Sequence, residues 1–273
     1  MSIWANRRAR ALALANDRPH AADMLRCYAE VAQAQESIAA RMHVQPWMTV
    51  ASDASADGPA LRLPRLPLED MLPLFADFLG QLSGTGTEVM TARAHDLMAA
   101  GPTAQRAALE NELAPDPIEG DVDSFHARAF VEAVATTLAG RVLPTASAIQ
   151  GTGPARCRVC GAPPLVATLR DLPGALGSRA LVCSRCASEQ RLQRLTCAQC
   201  GESNAERLHV HTAESVTYLR IDECSSCAHY IKTVDLRRRG DAVPLVEDLA
   251  TPELDLWAGD RGLTKGRKNL FGL

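Results

Sequence analysis

The sequence predicts an α+β protein, an all-α N-terminal domain followed by two small metal-stapled β units in tandem. Three observations carry this expectation. Apolar residues recur at steps of four and three through Met24, Tyr28, Val31, Ile38 and Met42, the signature of a helix with one buried face. From Leu165 onward the pattern changes to short runs of strand-forming residues. Around those runs lie four Cys-x-x-Cys pairs, Cys157/Cys160, Cys183/Cys186, Cys197/Cys200 and Cys224/Cys227, which hold eight of the nine cysteines.

The helices come first. Paired arginines at Arg7 and Arg8 precede the apolar run Ala11 to Ala15, a superficial likeness to an export signal. That run is short and is closed by Asp17 and Arg18, so it reads as a helix of a cytoplasmic protein. The stripe from Met24 to Met42 includes one polar member, Gln35, and ends before Pro46. Cys27 lies beside it and reads as a small core residue. Pro46 to Pro67 is rich in Pro, Ser, Asp and Gly and is expected to be a long loop. Helical patterns return at Leu68 to Leu82 and at Glu88 to Ala100. A further helix follows Gly101-Pro102, with Thr103 as its expected cap, and Asp123 to Arg141 carries the last. His20, His43, His95 and His126 are scattered without ligand spacing and are expected to be surface or hydrogen-bonded residues.

This gives a helical domain over residues 1–145, a linker over 146–155 within the Pro/Gly-rich stretch Pro144 to Pro154, metal units over 156–192 and 193–240, and a tail over 241–273 that packs on the rest. Strands are expected at Leu165–Leu169, Arg179–Val182, Leu208–Thr212, Val216–Ile221 and Tyr230–Val234.

Two thiolates separated by two residues grip one ion from a tight turn, and two such turns complete a tetrahedron. Eight sulfurs therefore suit two ions. Twenty-two residues separate Cys160 from Cys183 and twenty-three separate Cys200 from Cys224, so the second half repeats the first at an offset of 40 to 41 residues. Pairing in chain order groups Cys157, Cys160, Cys183 and Cys186 as one site and Cys197, Cys200, Cys224 and Cys227 as the other. Glycine follows the second cysteine of the first turn in each half (Gly161, Gly201), where it permits positive φ and points amides at sulfur; alanine follows in the second turn (Ala187, Ala228). Disulfides fit poorly with an odd cysteine count and no export signal. A dithiol oxidoreductase would need a pair at a helix start in a βαβ unit. His209 and His211 share a strand face, but cysteines already complete both sites. Tetrahedral sulfur accepts iron or zinc alike.

Composition narrows the partners. The chain has 273 residues, 47% of them hydrophobic, enough for two domains, and its net charge of −3 gives no overall footprint for nucleic acid. Between residues 156 and 240, 13 basic residues exceed 8 acidic ones, but two divalent ions in eight thiolates would cut that excess of five to about one. Only Tyr218 and Tyr230 could stack on bases there. No apolar run reaches the roughly eighteen residues of a membrane span. A zinc-ribbon adaptor for RNA or for another protein nevertheless shares these cysteines.

With both flanks included, the chain resembles the bacterial formate dehydrogenase accessory proteins. The likeness runs from Arg8-Ala-Arg-Ala-Leu12, Arg18-Pro-His20, Met24-Leu-Arg26 and Ala32-Gln-Ala-Gln35, through the cysteine block ending Cys227-Ala-His-Tyr-Ile-Lys232, to Glu247-Asp-Leu-Ala-Thr251, Leu254-Asp-Leu256, Gly262 and Asn269-Leu-Phe271. It departs at Gln190, where an aromatic is usual, at Ala228, where glycine is frequent, and at Leu270, where proline stands. The resemblance implies tandem rubredoxin-like (zinc-ribbon) units with iron favoured and zinc possible. It also implies a non-enzymatic assembly role on the catalytic subunit of formate dehydrogenase in the cytoplasm. Tyr230, Lys232, Asp248 and Asp255 then have a structural or partner-binding role, against the simpler reading of a strand filler, a solvated head and two helix caps.

Overall fold

A computed structural model describes residues 1–43, 45, 58–115, 124–142 and 153–273. Most of the expected loop from Pro46 to Pro67 and of the 146–155 linker lies outside these residues. Two compact units are present, with main segments Met1–Leu143 and Ala162–Asn269.

The first unit is helical: α1 (Ile3–Asp17), α2 (Ala22–Met42), α3 (Leu68–Leu82), α4 (Glu88–Ala99), α5 (Gly101–Leu113) and α6 (Phe125–Ala139). Ser2 caps α1 by accepting from the Ala5 amide. The Tyr28, Val31, Ile38 and Met42 stripe of α2 is buried, and α2 packs on α1, α3 and α6. Gln35, the polar member of the stripe, is buried as well and donates to the Ala129 carbonyl at 2.8 Å, which offsets the cost of placing an amide in a core. Phe75, Phe78 and Phe130 form the aromatic centre, with centroids 5.1 and 5.7 Å apart. The expectation for Thr103 is corrected: α5 already starts at Gly101, with Pro102 in its first turn, where a missing N–H costs nothing.

The second unit holds one seven-stranded sheet with strands β1 (Pro164–Leu172), β2 (Ala175–Cys183), β3 (Glu189–Arg191), β4 (Leu208–Thr212), β5 (Leu219–Cys224), β6 (His229–Asp235) and β7 (Thr264–Lys265). The strand order is β3-β2-β1-β6-β5-β4, and β7 pairs beside β6. The repeat seen in the cysteine spacing is repeated in topology. β1-β2-β3 and β4-β5-β6 are both antiparallel meanders, with Pro164 opposite Cys183 in one and Leu208 opposite Cys224 in the other. A parallel pairing of β1 with β6, Val166 to Leu169 against Lys232 to Asp235, joins the two halves. The expected strand at Val216–Ile221 starts later, at Leu219, because Glu214–Val216 closes a single helical turn first.

The tail forms two short helices, α7 (Pro244–Leu249) and α8 (Pro252–Gly259). Leu219, Ile221, Tyr230 and Val234 on one sheet face form a core with Leu254 and Ala258 of α8. On the opposite face Ala167, Leu181 and Ile231 pack with Ala155 and Ala198.

Candidate metal centres

Each Cys-x-x-Cys pair closes a tight turn, the Cys183 and Cys224 pairs at the ends of β2 and β5 and the Cys157 and Cys197 pairs in the segments ahead of β1 and β4, and the four turns have one shape. The residue after the second cysteine has positive φ in every case: Gly161 at 81°, Ala187 at 56°, Gly201 at 78° and Ala228 at 54°. Two alanines thus accept a backbone that glycine adopts freely and other residues only at a cost of about 1–2 kcal/mol. Backbone amides turn toward sulfur as a result. Arg185 N lies 3.4 Å from Cys183 Sγ and Gln199 N 3.3 Å from Cys197 Sγ.

The eight sulfurs collect into two sets, Cys157, Cys160, Cys183 and Cys186, and Cys197, Cys200, Cys224 and Cys227, each with its atoms within 4.8 Å of one another. Sequential grouping, read from the spacing, is the grouping the structure brings together. Measured pairs stand 3.6 Å apart for Cys157 and Cys186, 3.8 Å for Cys197 and Cys227, and 3.7 Å for Cys200 and Cys224. A disulfide needs about 2.0 Å. A tetrahedron with metal–sulfur bonds of about 2.3 Å has edges of about 3.8 Å. The separations match the tetrahedron, and each set could hold one ion. No histidine belongs to either set.

Within the second set the thiols differ. Burial pushes the Cys197 and Cys227 thiols up, while backbone amides oppose the shift in part; at Cys224 burial is outweighed by hydrogen bonds from the Cys227 and Ser226 amides and from Cys197 and Cys200, and the thiol is held below its ordinary value. A divalent ion would displace those protons, so loading must release acid.

The remaining candidates fall elsewhere. Cys27 is a core residue whose thiol burial pushes up to about 12. His209 is exposed on β4, whereas His211 Nε2 meets Glu223 Oε2 at 2.6 Å. His126 is buried, and burial pulls it down to about 4.

Two features were not anticipated. Gln190, the departure from the family's aromatic, donates to Cys157 Sγ at 3.7 Å while accepting from the Arg158 amide at 3.1 Å. An amide side chain there supports a ligand. The second feature is an ion network centred on the fully buried Lys232 and Asp248, which bears out their structural reading over that of Lys232 as a solvated head and of Asp248 and Asp255 as helix caps. Lys232 Nζ contacts Asp255 Oδ2 at 2.6 Å and donates to the carbonyls of Asp248 and Thr251 at 2.8 and 2.9 Å. Lys265 Nζ meets Asp248 at 2.7 Å and Asp255 at 3.1 Å, Asn269 donates to Asp248 Oδ2, and Tyr230 donates to Asp255. Two ammonium groups balance two carboxylates, so α7, α8 and the tail are held on the sheet without a net buried charge. Burial pulls Lys232 down. Burial alone would raise Asp248, but the ammonium groups of Lys232 and Lys265 hold it below the usual range.

Among the described residues no helix is long and apolar enough to cross a membrane.

Known proteins share this arrangement. The family described as "FdhE, C-terminal domain" matches residues 181–271. An FdhE homolog of Aquifex aeolicus is 30% identical over 214 residues, 78% of this chain and 74% of that one. One from Stutzerimonas stutzeri is 36% identical over 115 residues, 42% of this chain and 37% of the other. The crystal structure of the FdhE protein from Pseudomonas aeruginosa shares the fold, with a TM-score of 0.73 at 23% identity over 98% of this chain and 95% of that one. With identity at this level over most of the chain, and the same two-part fold, the protein belongs to the FdhE family.

Proposed function

We propose that the protein is a formate dehydrogenase accessory factor, with Cys157, Cys160, Cys183 and Cys186 ligating one metal ion and Cys197, Cys200, Cys224 and Cys227 a second. Its client is the immature catalytic subunit of formate dehydrogenase in the cytoplasm, and its work is binding rather than turnover. Nucleic acid is not a partner, and the chain does not insert into a membrane. Iron is the favoured ion and zinc the alternative, since four thiolates at these separations accept either. The observation that carries the reading is the pair of tetrathiolate cages on a single sheet in a chain of this family. A small sheet stapled by ions presents a fixed surface without a large apolar core, which suits recognition of another protein.

Tagged protein purified from its host, with mass spectrometry of what accompanies it and elemental analysis of the same sample, tests this. The expected result is the formate dehydrogenase catalytic subunit together with two ions per chain, coloured by sulfur-to-iron charge transfer if iron is bound. Recovery of metal-loaded protein without any formate dehydrogenase subunit would overturn the client; protein with all eight thiols freely reactive would overturn the sites.

A further inference from the structure

Strand β4 ends the sheet: β5 pairs with one side of it, and among the described residues no strand pairs with the other. The phase of its ladder follows from two bonds. Opposite residues of an antiparallel pair alternate between exchanging both backbone hydrogen bonds and exchanging none. Ser225 N donates to Arg207 O at 2.9 Å, so Arg207 and Ser225 are a bonded pair, and His209 with Glu223 and His211 with Ile221 are the next two. Asp235 N donates to Tyr218 O at 2.7 Å on the other side of β5, which gives the same phase. Leu208, Val210 and Thr212 therefore turn their backbone groups outward. The Leu208 amide donates to Ala205 O, which leaves the Leu208 carbonyl and both groups of Val210 and Thr212 without a partner among the described residues.

Folded sheets usually close such an edge with a charge, a proline, a bulge or a very short strand. The other end strand does so: β3 has three residues, of which Glu189 and Arg191 are charged. In contrast β4 has five, Leu208-His-Val-His-Thr212, with no proline, lysine, arginine or carboxylate, and it pairs with β5 without a register shift. Only an extended main chain can satisfy this row of donors and acceptors.

Side chains specify what that chain carries. Residues set opposite Leu208, Val210 and Thr212 would share their face of the sheet. There Val210 is 54% exposed and Leu195, in the turn between β3 and β4, is 58% exposed. Both line a cavity of about 210 Å³ beside the second cysteine set, together with Leu169 and Ile231. Arg179 and Arg220 in its wall are already held by Asp222, at 3.3 and 2.8 Å, whereas Val210 and Leu195 stand open to solvent. The other face of β4 carries His209 and His211. A second copy of the chain fits less well. Paired about Val210, it would bring its own Leu208, Val210 and Thr212 to this face, and two of those already line its own cavity.

We propose that the free edge of β4 binds an extended segment of a partner protein as an added strand, with aliphatic residues at alternate positions toward Val210 and Leu195 and polar residues between them. The backbone groups of Val210 and Thr212 and the Leu208 carbonyl hold its main chain. No formate dehydrogenase subunit takes part in the test, so this surface and the client proposed above can fail separately.

The probe is the capped, fluorescein-labelled peptide Lys-Val-Thr-Val-Thr-Val-Lys, titrated into metal-loaded full-length protein and read by fluorescence anisotropy, beside two N-methylated forms. Methyl groups on the valine amides remove the donors that face β4; methyl groups on the threonine amides fall on the far edge. The plain and threonine-methylated peptides should bind alike, and the valine-methylated peptide at least about tenfold more weakly. Val210→Pro deletes one outward N–H and breaks no bond to β5, which an edge position tolerates, and should weaken the plain peptide about tenfold. If that variant does not fold, the two methylated peptides decide the matter on the unmodified protein. No binding of the plain peptide, equal binding of the two methylated forms, or unaltered affinity in folded Val210→Pro would each overturn the proposal. So would a dimer in sedimentation that Val210→Pro dissolves, since the occupant would then be a second copy.

Discussion

The two cysteine sets have the same spacing, the same turns and equivalent strands, yet they stand in different surroundings. All four sulfur residues of the first set are buried, whereas in the second Cys200 is exposed and Cys227 half-exposed. The first set also has Gln190 donating to Cys157, and the second has a cavity at its side. Duplication thus gives both sets a geometry that could hold an ion, and the neighbours decide how exposed each set is. The first set is enclosed; the second reaches solvent.

The largest test of that contrast is Lys232→Met. Strand β6 carries Lys232 and is the strand through which the two halves join, so the network it anchors supports both sites. Removing one ammonium leaves Asp248 and Asp255 buried with Lys265 alone, and the second unit should lose about 3–5 kcal/mol. Chemical denaturation with both ions monitored should show them leaving together; departure of the second ion alone would mean the halves are less coupled than the shared sheet implies.

A smaller effect separates the sites. Gly201 has φ of 78°, and a Cβ there would lie 2.6 Å from Gly153 N, so Gly201→Ala should cost about 2–3 kcal/mol. Only the second ion should be held less firmly, as read by competition with a chelator. The smallest effect should be equal at both. Ala187→Gly and Ala228→Gly each relieve a positive φ and should stabilise by no more than about 1 kcal/mol. A thermal melt in which either substitution destabilises would show that the alanine methyl packs usefully and outweighs the backbone term.

Much of this was legible from residue order, and the exceptions have physical causes. Helix α3 at Leu68–Leu82 matches its periodicity because a fifteen-residue amphipathic stretch repeats its apolar face four times. Helices α7 and α8 span six and eight residues, too few for a period to show. Their signal was Pro244 and Pro252 at the first helical position, with acidic residues in the turn that follows. The cysteine grouping could be read because ligand spacing is local. The parallel joining of β1 to β6 could not, since the pairing links residues more than sixty positions apart with no turn between them to announce it. Which of the two readings of Lys232 holds could not be told for the same reason: its partners Asp248, Asp255 and Lys265 come from later elements, and only tertiary packing brings them within reach and gives it a structural role. Nor does the sequence mark Arg179 and Arg220 as neighbours around Asp222, which strand register alone provides.

The most direct measurement is timed transfer of metal from the loaded protein to a chromogenic chelator. Two equivalents per chain should appear in two phases of equal size, the fast phase absent in Cys200→Ala and the slow phase absent in Cys157→Ala. A single equivalent, or two released in one phase that both substitutions reduce alike, would contradict a pair of separate ions held at unequal depth.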